Sequence, residues 1–292
     1  MHGKIVDIVR SSTQDGPGIR TVVYLKGCNL HCMWCHNPEA IDAKPVIGFT
    51  ADRCIHCGRC ADVCPVNAIA ERRASFDRER CACCGKCVEA CAEDALTLIG
   101  EDMSTEDVFS LILRDKQYYI NSSGGVTVSG GEPLLQGQFV KELFLRCSQA
   151  GIHTAIDTAG NVDYSIFESI LPVCNLVLYD IKVMDDEIHK KYTGVSNKQI
   201  LENLKKLLEA GINIEIRIPV ICGVNDTIAN MEKTAEFISG YDNIKKVKFL
   251  PYHNYGNSKL ALIGKTEGVE FKTPDKELLK SLAVPFNCSV EY

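Results

Sequence analysis

Between Thr21 and Cys35 the chain reads TVVYLKGCNLHCMWC, a short apolar run, a lysine and a glycine, then three cysteines spaced C-x3-C-x2-C. Thr21–Leu25 is rich in β-branched and aromatic residues and reads as a strand. Three thiolates on one tight loop can hold three irons of a [4Fe–4S] cubane and leave the fourth open, whereas clusters that only carry electrons normally have four protein ligands. An open metal position marks a site where a substrate binds the metal. The loop follows a strand, at the carboxyl end where β/α barrels place their chemistry. The competing reading is a structural zinc ion with His31 or His36 as fourth ligand, although zinc knuckles usually come as two separated ligand pairs.

From about Glu101 onward, apolar strands alternate with amphipathic helices. Ser104 and Asp107 predict a capped helix through Val108, Leu111 and Ile112. Further strands are expected at Val126–Ser129, Thr154–Asp157, Leu176–Ile181, Asn213–Pro219 and Lys246–Leu250, and further helices at Phe139–Ala150, near Gln199–Ala210 and near Ile228–Ile238. Leu176–Ile181 is almost continuously apolar, as a strand buried on both faces should be. With Thr21–Leu25 this gives about six strand–helix units. The expected fold class is α/β, a partial (β/α)6-type TIM barrel.

Cysteine is the compositional anomaly: sixteen in 292 residues, most of them between Cys28 and Cys91. RCIHCGRCADVCPVNAI from Arg53 and RCACCGKCVEACAEDAL from Arg80 align without a gap. Each copy carries C-x2-C-x2-C-x3-C, the bacterial ferredoxin spacing, in which the fourth cysteine ligates the other cluster. One cluster is therefore expected on Cys54, Cys57, Cys60 and Cys91, and another on Cys81, Cys84, Cys87 and Cys64. Ala92 stands where a proline usually follows the last cysteine. The expected organisation is a barrel of residues 1–43 and 101–292 with an inserted ferredoxin-like domain over 44–100. Fully ligated clusters lack an open iron and suit electron relay; a purely structural insert is the alternative. Cys83 lies outside the ligand spacing, and Cys147, Cys174, Cys222 and Cys288 are isolated.

The net charge of −6, without a Lys/Arg run, argues against nonspecific binding to nucleic acid or membrane. A hydrophobic fraction of 46% is that of a globular chain. No apolar stretch approaches the length of a membrane span, and Met1–Arg10 alternates charge with Ile and Val, unlike a secretory signal. A cytoplasmic protein is expected. Asp157, Asp180 with Lys182, Arg217 and His253 fall at or near the carboxyl ends of expected strands, which suggests a shared polar site there. Ser129-Gly130-Gly131-Glu132-Pro133 follows another strand; its glycines would let backbone approach a ligand, and Glu132 offers an acceptor for an ammonium group.

The cysteine loop resembles that of the radical S-adenosylmethionine enzymes. DGPGIRTVVYLKGCNLHCMWCHNPE is similar, more narrowly, to the glycyl-radical-enzyme activating enzymes of the pyruvate formate-lyase activating type, and SGGEPLLQ, DTAG, YDIKVMDDEIHKKYTGVSN and FLPYHNYG extend the likeness through most of the barrel. Tyr24 departs from the usual Phe or Leu. The resemblance implies that the open iron on Cys28, Cys32 and Cys35 chelates S-adenosylmethionine, which is cleaved by one electron to methionine and a 5′-deoxyadenosyl radical. That radical takes a hydrogen from a glycine of a partner glycyl radical enzyme. It further implies that the Gly130-Gly131-Glu132 motif meets the methionyl amino group and that Asp180, Lys182 and His253 contact the cofactor. Asp157 with Thr158 would coordinate a monovalent cation, and at Trp34 and His36 the aromatic or the backbone would lie against adenine. Gly16-Pro17-Gly18 would border the opening for the partner's glycine segment. Implied cofactors are three [4Fe–4S] clusters and S-adenosylmethionine, and the implied electron donor is a flavodoxin or ferredoxin.

Two other readings stand beside this one. A radical S-adenosylmethionine enzyme acting on a small molecule or peptide would share the cysteine loop, although DGPGIRT and CHNPE favour the activase. An electron carrier without catalysis would have no use for the unpaired C-x3-C-x2-C.

Overall fold

The computed structural model describes residues 1–70, 76–265 and 268–292. Its frame is a nine-stranded mixed sheet. In chain order its strands are β1 (His2–Ser12), β2 (Arg20–Leu25), β5 (Glu101–Ser104), β6 (Gly125–Gly130), β7 (His153–Thr158), β8 (Leu176–Asp180), β9 (Ile214–Val220), β10 (Ile244–Pro251) and β11 (Val290–Glu291); β3 (Val46–Phe49) and β4 (Leu96–Ile99) form a separate antiparallel pair. The large sheet runs β11-β10-β9-β8-β7-β6-β2-β1-β5. From β2 to β11 every pairing is parallel and sequential, whereas β1 pairs antiparallel with both β2 and β5. A doubly wound sheet would reverse its strand order at a switch point. Here β2 and β6 to β11 follow one another without such a reversal, and being parallel they place the loops after them at one end.

The apolar runs explain the layering. β9 is buried along its whole length, as are Val22, Val23 and Leu25 of β2 and the strand interior of β6. Helices such as Gly137–Gln149 and Lys198–Glu209 cover the outer face, inserting Phe139, Val140, Leu143, Phe144, Leu204 and Leu207 into one continuous core. The helix expected after Ser104 forms as Thr105–Leu113, and the Ser104 hydroxyl accepts a hydrogen bond from the Asp107 amide at 3.1 Å. The six expected strands and four expected helices all form, with ends displaced by one to a few residues. Among the described residues, no helix is long and apolar enough to cross a membrane.

Candidate functional site

The cysteine loop is held by backbone on three sides. Gly27 and Cys28 donate their amides to Ala40 and Ile41 carbonyls at 2.7 and 2.9 Å, and His31 and Met33 donate to Thr193 and Tyr192 at 2.8 and 3.0 Å. Thr193 and Tyr192 close the helix Asp186–Thr193, whose start is capped by Asp185 accepting from the Glu187 and Ile188 amides. On the third side the Glu132 amide donates to the Gly27 carbonyl at 2.8 Å. Gly130 and Gly131 permit this contact: Gly130 has φ +123°, and a Cβ on either would strike the Leu25 or Gly27 backbone. The glycines thus bring two strand ends together.

The Glu132 carboxylate is bonded to its own neighbours. It is fully buried and accepts from the Thr158 hydroxyl at 2.7 Å, the Ala159 amide at 3.0 Å, the Leu134 amide at 3.2 Å and the Gly160 amide at 3.3 Å. A carboxylate has about four acceptor directions, so these bonds occupy what the sequence reading reserved for an ammonium group. The physical reason is proximity: the loop after β7 turns its amides toward the end of β6. Burial pushes the Glu132 carboxyl up to about 7, against the lowering by these four hydrogen bonds. Asn29 ties the same loop to the cysteines by donating to the Asn161 carbonyl at 2.6 Å.

Cys28, Cys32 and Cys35 have their thiols pushed up to about 11 by burial. They face Lys182, whose ammonium lies 2.9 Å from Asp180. Burial works against that ammonium, but Asp180 and the sulfurs of Cys32 and Cys28 outweigh it and hold its pKa above the ordinary lysine value. Buried Asn225 fixes this segment, donating to the Lys182 and Pro219 carbonyls at 2.7 and 2.6 Å.

His36 stacks on His253, ring centroids 3.9 Å apart, and among the described residues the buried His36 Nε2 and His253 Nδ1 have no hydrogen-bond partner. Burial, with His253 and Lys182 nearby, brings the His36 imidazole down to about 4. Trp34 packs with Val183, Ile221, Val224 and Tyr252 and, with Tyr252 and His253, lines a cavity of about 450 Å³ that also reaches Cys32 and Cys35. That size lies within the range of small-molecule sites.

Asp157 and Arg217 form a neighbouring polar group. Ser129 donates to Asp157 at 2.7 Å, and the Arg217 guanidinium lies 3.6 Å from Asp157, 3.7 Å from Asp15 and 3.4 Å from Glu215. It also donates to the Gln14 carbonyl at 2.9 Å. Burial raises the Asp157 carboxyl to about 6 even though Arg217 favours its charged form. Asp15 and Gln14 belong to the loop containing Gly16-Pro17-Gly18, which Arg20 and Thr127 hold by donating to the Pro17 and Asp15 carbonyls at 3.1 and 2.6 Å. Cys28, Cys32, Asp180 and Lys182 therefore stand together past the ends of β2 and β8, with Asp157 on β7 and Arg217 on β9 beside Asp180. Asn29, Asn225, Asp15, Glu215 and the bracing role of Glu132 were not anticipated.

The donor set fits an iron–sulfur cluster and a polar cofactor. Three soft thiols share one loop, a lysine offsets their charge, and two buried imidazole nitrogens await a partner. Among the described residues no three His, Cys, Asp or Glu side chains gather as ligands of a single metal ion; a cluster instead distributes its thiolates over separate irons.

The family model of the radical SAM superfamily matches residues 22–238. The trans-4-hydroxy-L-proline dehydratase activating enzyme of Clostridioides difficile is 43% identical over 295 residues, covering 99% of this chain and 97% of that protein. The (2S)-3-sulfopropanediol dehydratase activating enzyme of Klebsiella oxytoca is 43% identical over 271 residues, covering 90% and 86%. A radical SAM methyltransferase from Sphaerobacter thermophilus superposes with a TM-score of 0.55 at 13% identity, over 99% of this chain and 77% of its own, a likeness of fold alone. The chain belongs to the radical SAM superfamily and, within it, to the activating enzymes of glycyl radical enzymes.

Proposed function

We propose that this chain activates a glycyl radical enzyme from a site built on the cysteine loop. Cys28, Cys32 and Cys35 hold the catalytic [4Fe–4S] cluster. When bound and reduced, that cluster supplies the electron that cleaves S-adenosylmethionine, giving the 5′-deoxyadenosyl radical that takes hydrogen from the partner's glycine. The Gly130-Gly131 backbone meets the methionyl amino group, while Glu132 fixes the loop Thr158–Gly160 beneath it. Lys182, oriented by Asp180, offers a cation to the carboxylate. Trp34 and Tyr252 wall the adenine, and His36 and His253 present their unpartnered nitrogens to its polar edge. Asp157 with Thr158 coordinates a monovalent cation, and Arg217 holds Asp157 in place.

The single observation that carries this reading is the gathering of three loop thiols, Lys182 and two buried unpartnered histidine nitrogens at one end of the parallel strands. The uninterrupted parallel order β2, β6 to β10 supports a partial (β/α)6 barrel over residues 1–43 and 101–292. For residues 44–100 we read a ferredoxin-like insert closed by the β3–β4 pair, carrying two more [4Fe–4S] clusters. In support, a cavity of about 230 Å³ is lined by Cys54, Cys57, Cys60 and Cys91, the four ligands expected of one cluster. The two clusters relay electrons from a flavodoxin or ferredoxin. We place the chain in a reducing cytoplasm, where a cysteine content this high suits metal ligation rather than disulfides. The two relatives at equal identity are named for different dehydratases, so identity does not select the partner.

The test is anaerobic reconstitution with S-adenosylmethionine and a candidate partner. 5′-Deoxyadenosine together with a glycyl-radical signal in electron paramagnetic resonance is expected. 5′-Deoxyadenosine without the protein radical, across partners encoded beside this chain, would point to a small-molecule substrate. Substituting Cys57 and Cys84 together should abolish turnover driven by flavodoxin; full turnover would remove the relay.

A further inference from the structure

The two cysteine runs of the insert match in backbone. His56 and Cys83 have φ 54° and 49°, Gly58 and Gly85 have 82° and 78°, and Asn67 and Asp94 have 49° and 48°. Cys64 and Cys91 each accept from the amide four residues on, Ala68 at 3.2 Å and Ala95 at 3.4 Å. The surroundings, however, are unequal.

Two chains of contacts lead from the second run to the residues flanking the catalytic loop. Cys83 Sγ lies 4.0 Å from Cys81 Sγ and donates to the Pro45 carbonyl at 3.2 Å. Pro45 and the Lys26 side chain both press on Gly100, where a Cβ would come within 3.1 Å of Pro45 Cα. Lys26 donates to the Glu39 carbonyl at 2.6 Å and stands two residues before Cys28. By the other route, Arg78 donates to the Ile47 carbonyl at 2.8 Å and packs on Gly264, just past the helix Tyr255–Leu262. Lys259 of that helix donates to Asn37 at 2.7 Å and Glu39 at 2.8 Å, just beyond Cys35.

Among the described residues, the hydrogen bonds of the first run stay within the insert. Every wall of the cavity among Cys54, Cys57, Cys60 and Cys91 comes from residues 49 to 96, within the insert. Cys57 is exposed, and Ile55 beside it is 64% exposed. Cys84 is exposed as well, so exposure alone does not rank the two runs; the contacts that lead to Lys26, Asn37 and Glu39 on either side of the cysteine loop do.

We propose that the Cys81 run, with Cys64, is the inner end of the insert and hands electrons to the catalytic loop, and that the Cys54 run, with Cys91, is the outer end where a one-electron protein donor delivers them. This rests on the reading that the insert holds two clusters. Each transfer moves one electron: flavodoxin hydroquinone is oxidised to its semiquinone as the outer centre is reduced, the inner centre is reduced next, and the catalytic centre last. No bond forms or breaks within the insert.

Iron and sulfide analysis of the anaerobically reconstituted full chain tests the underlying reading separately: about twelve irons per chain supports three clusters, and about four removes them. Given three, the order is read from the microwave-power saturation of the catalytic cluster's signal in dithionite-reduced protein with S-adenosylmethionine. A reduced neighbour speeds the relaxation of that signal, so the inner centre should dominate it. In the outer variant, Cys57→Ala with Cys60→Ala, the half-saturation power should stay at the wild-type value. In the inner variant, Cys84→Ala with Cys87→Ala, it should fall several-fold. The reverse pattern, or equal effects of the two variants, overturns the order. Where a double variant fails to fold, the single variants Cys57→Ala and Cys84→Ala, each with cluster loss verified as about four fewer irons per chain, are held to the same two outcomes.

Discussion

Replacing Glu132 with glutamine tests whether this carboxylate braces the loop after β7. The amide nitrogen of the variant will turn toward Thr158, whose hydroxyl can rotate and accept, because the other orientation would orphan the Ala159 and Gly160 amides together. One amide, Leu134, then loses its acceptor, at a cost of ~1–3 kcal/mol. Opposing this is the charge. Burial raises the Glu132 carboxyl from the ordinary 4.5 to about 7. A folded-state value above the unfolded one means that the protonated residue's contribution is complete below about pH 4.5 and is lost as pH rises through about 7. Between about pH 5 and pH 7 the wild type loses ~2 kcal/mol from this residue alone, and the glutamine variant loses none of it. The variant should therefore be the less stable protein at about pH 5 by ~1–3 kcal/mol, with the gap closing by ~2 kcal/mol at about pH 7. Urea midpoints, taken anaerobically on samples of equal iron content, measure it. A gap that stays constant or widens between those two pH values would refute the burial-raised carboxyl, and a variant as stable as the wild type at about pH 5 would refute the brace.

Arg217→Met leaves Asp15, Asp157 and Glu215 without their shared guanidinium and should cost ~3–5 kcal/mol at neutral pH. The deficit should shrink as pH falls through about 6, where Asp157 takes up a proton, and urea midpoints at two pH values check this. Asp185→Ala removes the cap of the helix Asp186–Thr193 for ~1 kcal/mol, and the His31 and Met33 amides, bonded to that helix's last carbonyls, should exchange hydrogen faster while core amides do not. Trp34 is the sole tryptophan and 5% exposed, so emission should be blue-shifted in the native protein; Trp34→Ala should cost ~3–5 kcal/mol by urea denaturation.

What the sequence disclosed, and what it withheld, follow from the range of the interactions involved. β2 and β6 to β10 were readable because a strand buried on both faces must be apolar along its length, and that pattern is local. β1 was seen only as an alternating segment, since it is half exposed, and its pairing with β5 joins residues a hundred positions apart. The helix Asp186–Thr193 was hidden by its polar composition, and Tyr164–Ile170 by its brevity.

The site divides along the same line. Three thiols that share one cluster from one loop must be close in the chain, so their spacing announces them. A brace has no such constraint. Glu132 reaches residues 26 to 28 positions away, Arg217 reaches Gln14 across 203, and Lys259 reaches Asn37 across 222. Asn225, fully buried, is of a residue type that composition assigns to the surface; the carbonyls of Lys182 and Pro219 and the amide of Ile221, all near the ends of β8 and β9, explain its burial. Chemistry at this site is therefore written in short motifs, while the geometry that makes the motifs converge is written in single polar residues, each meaningful only once the parallel strands have set their neighbours.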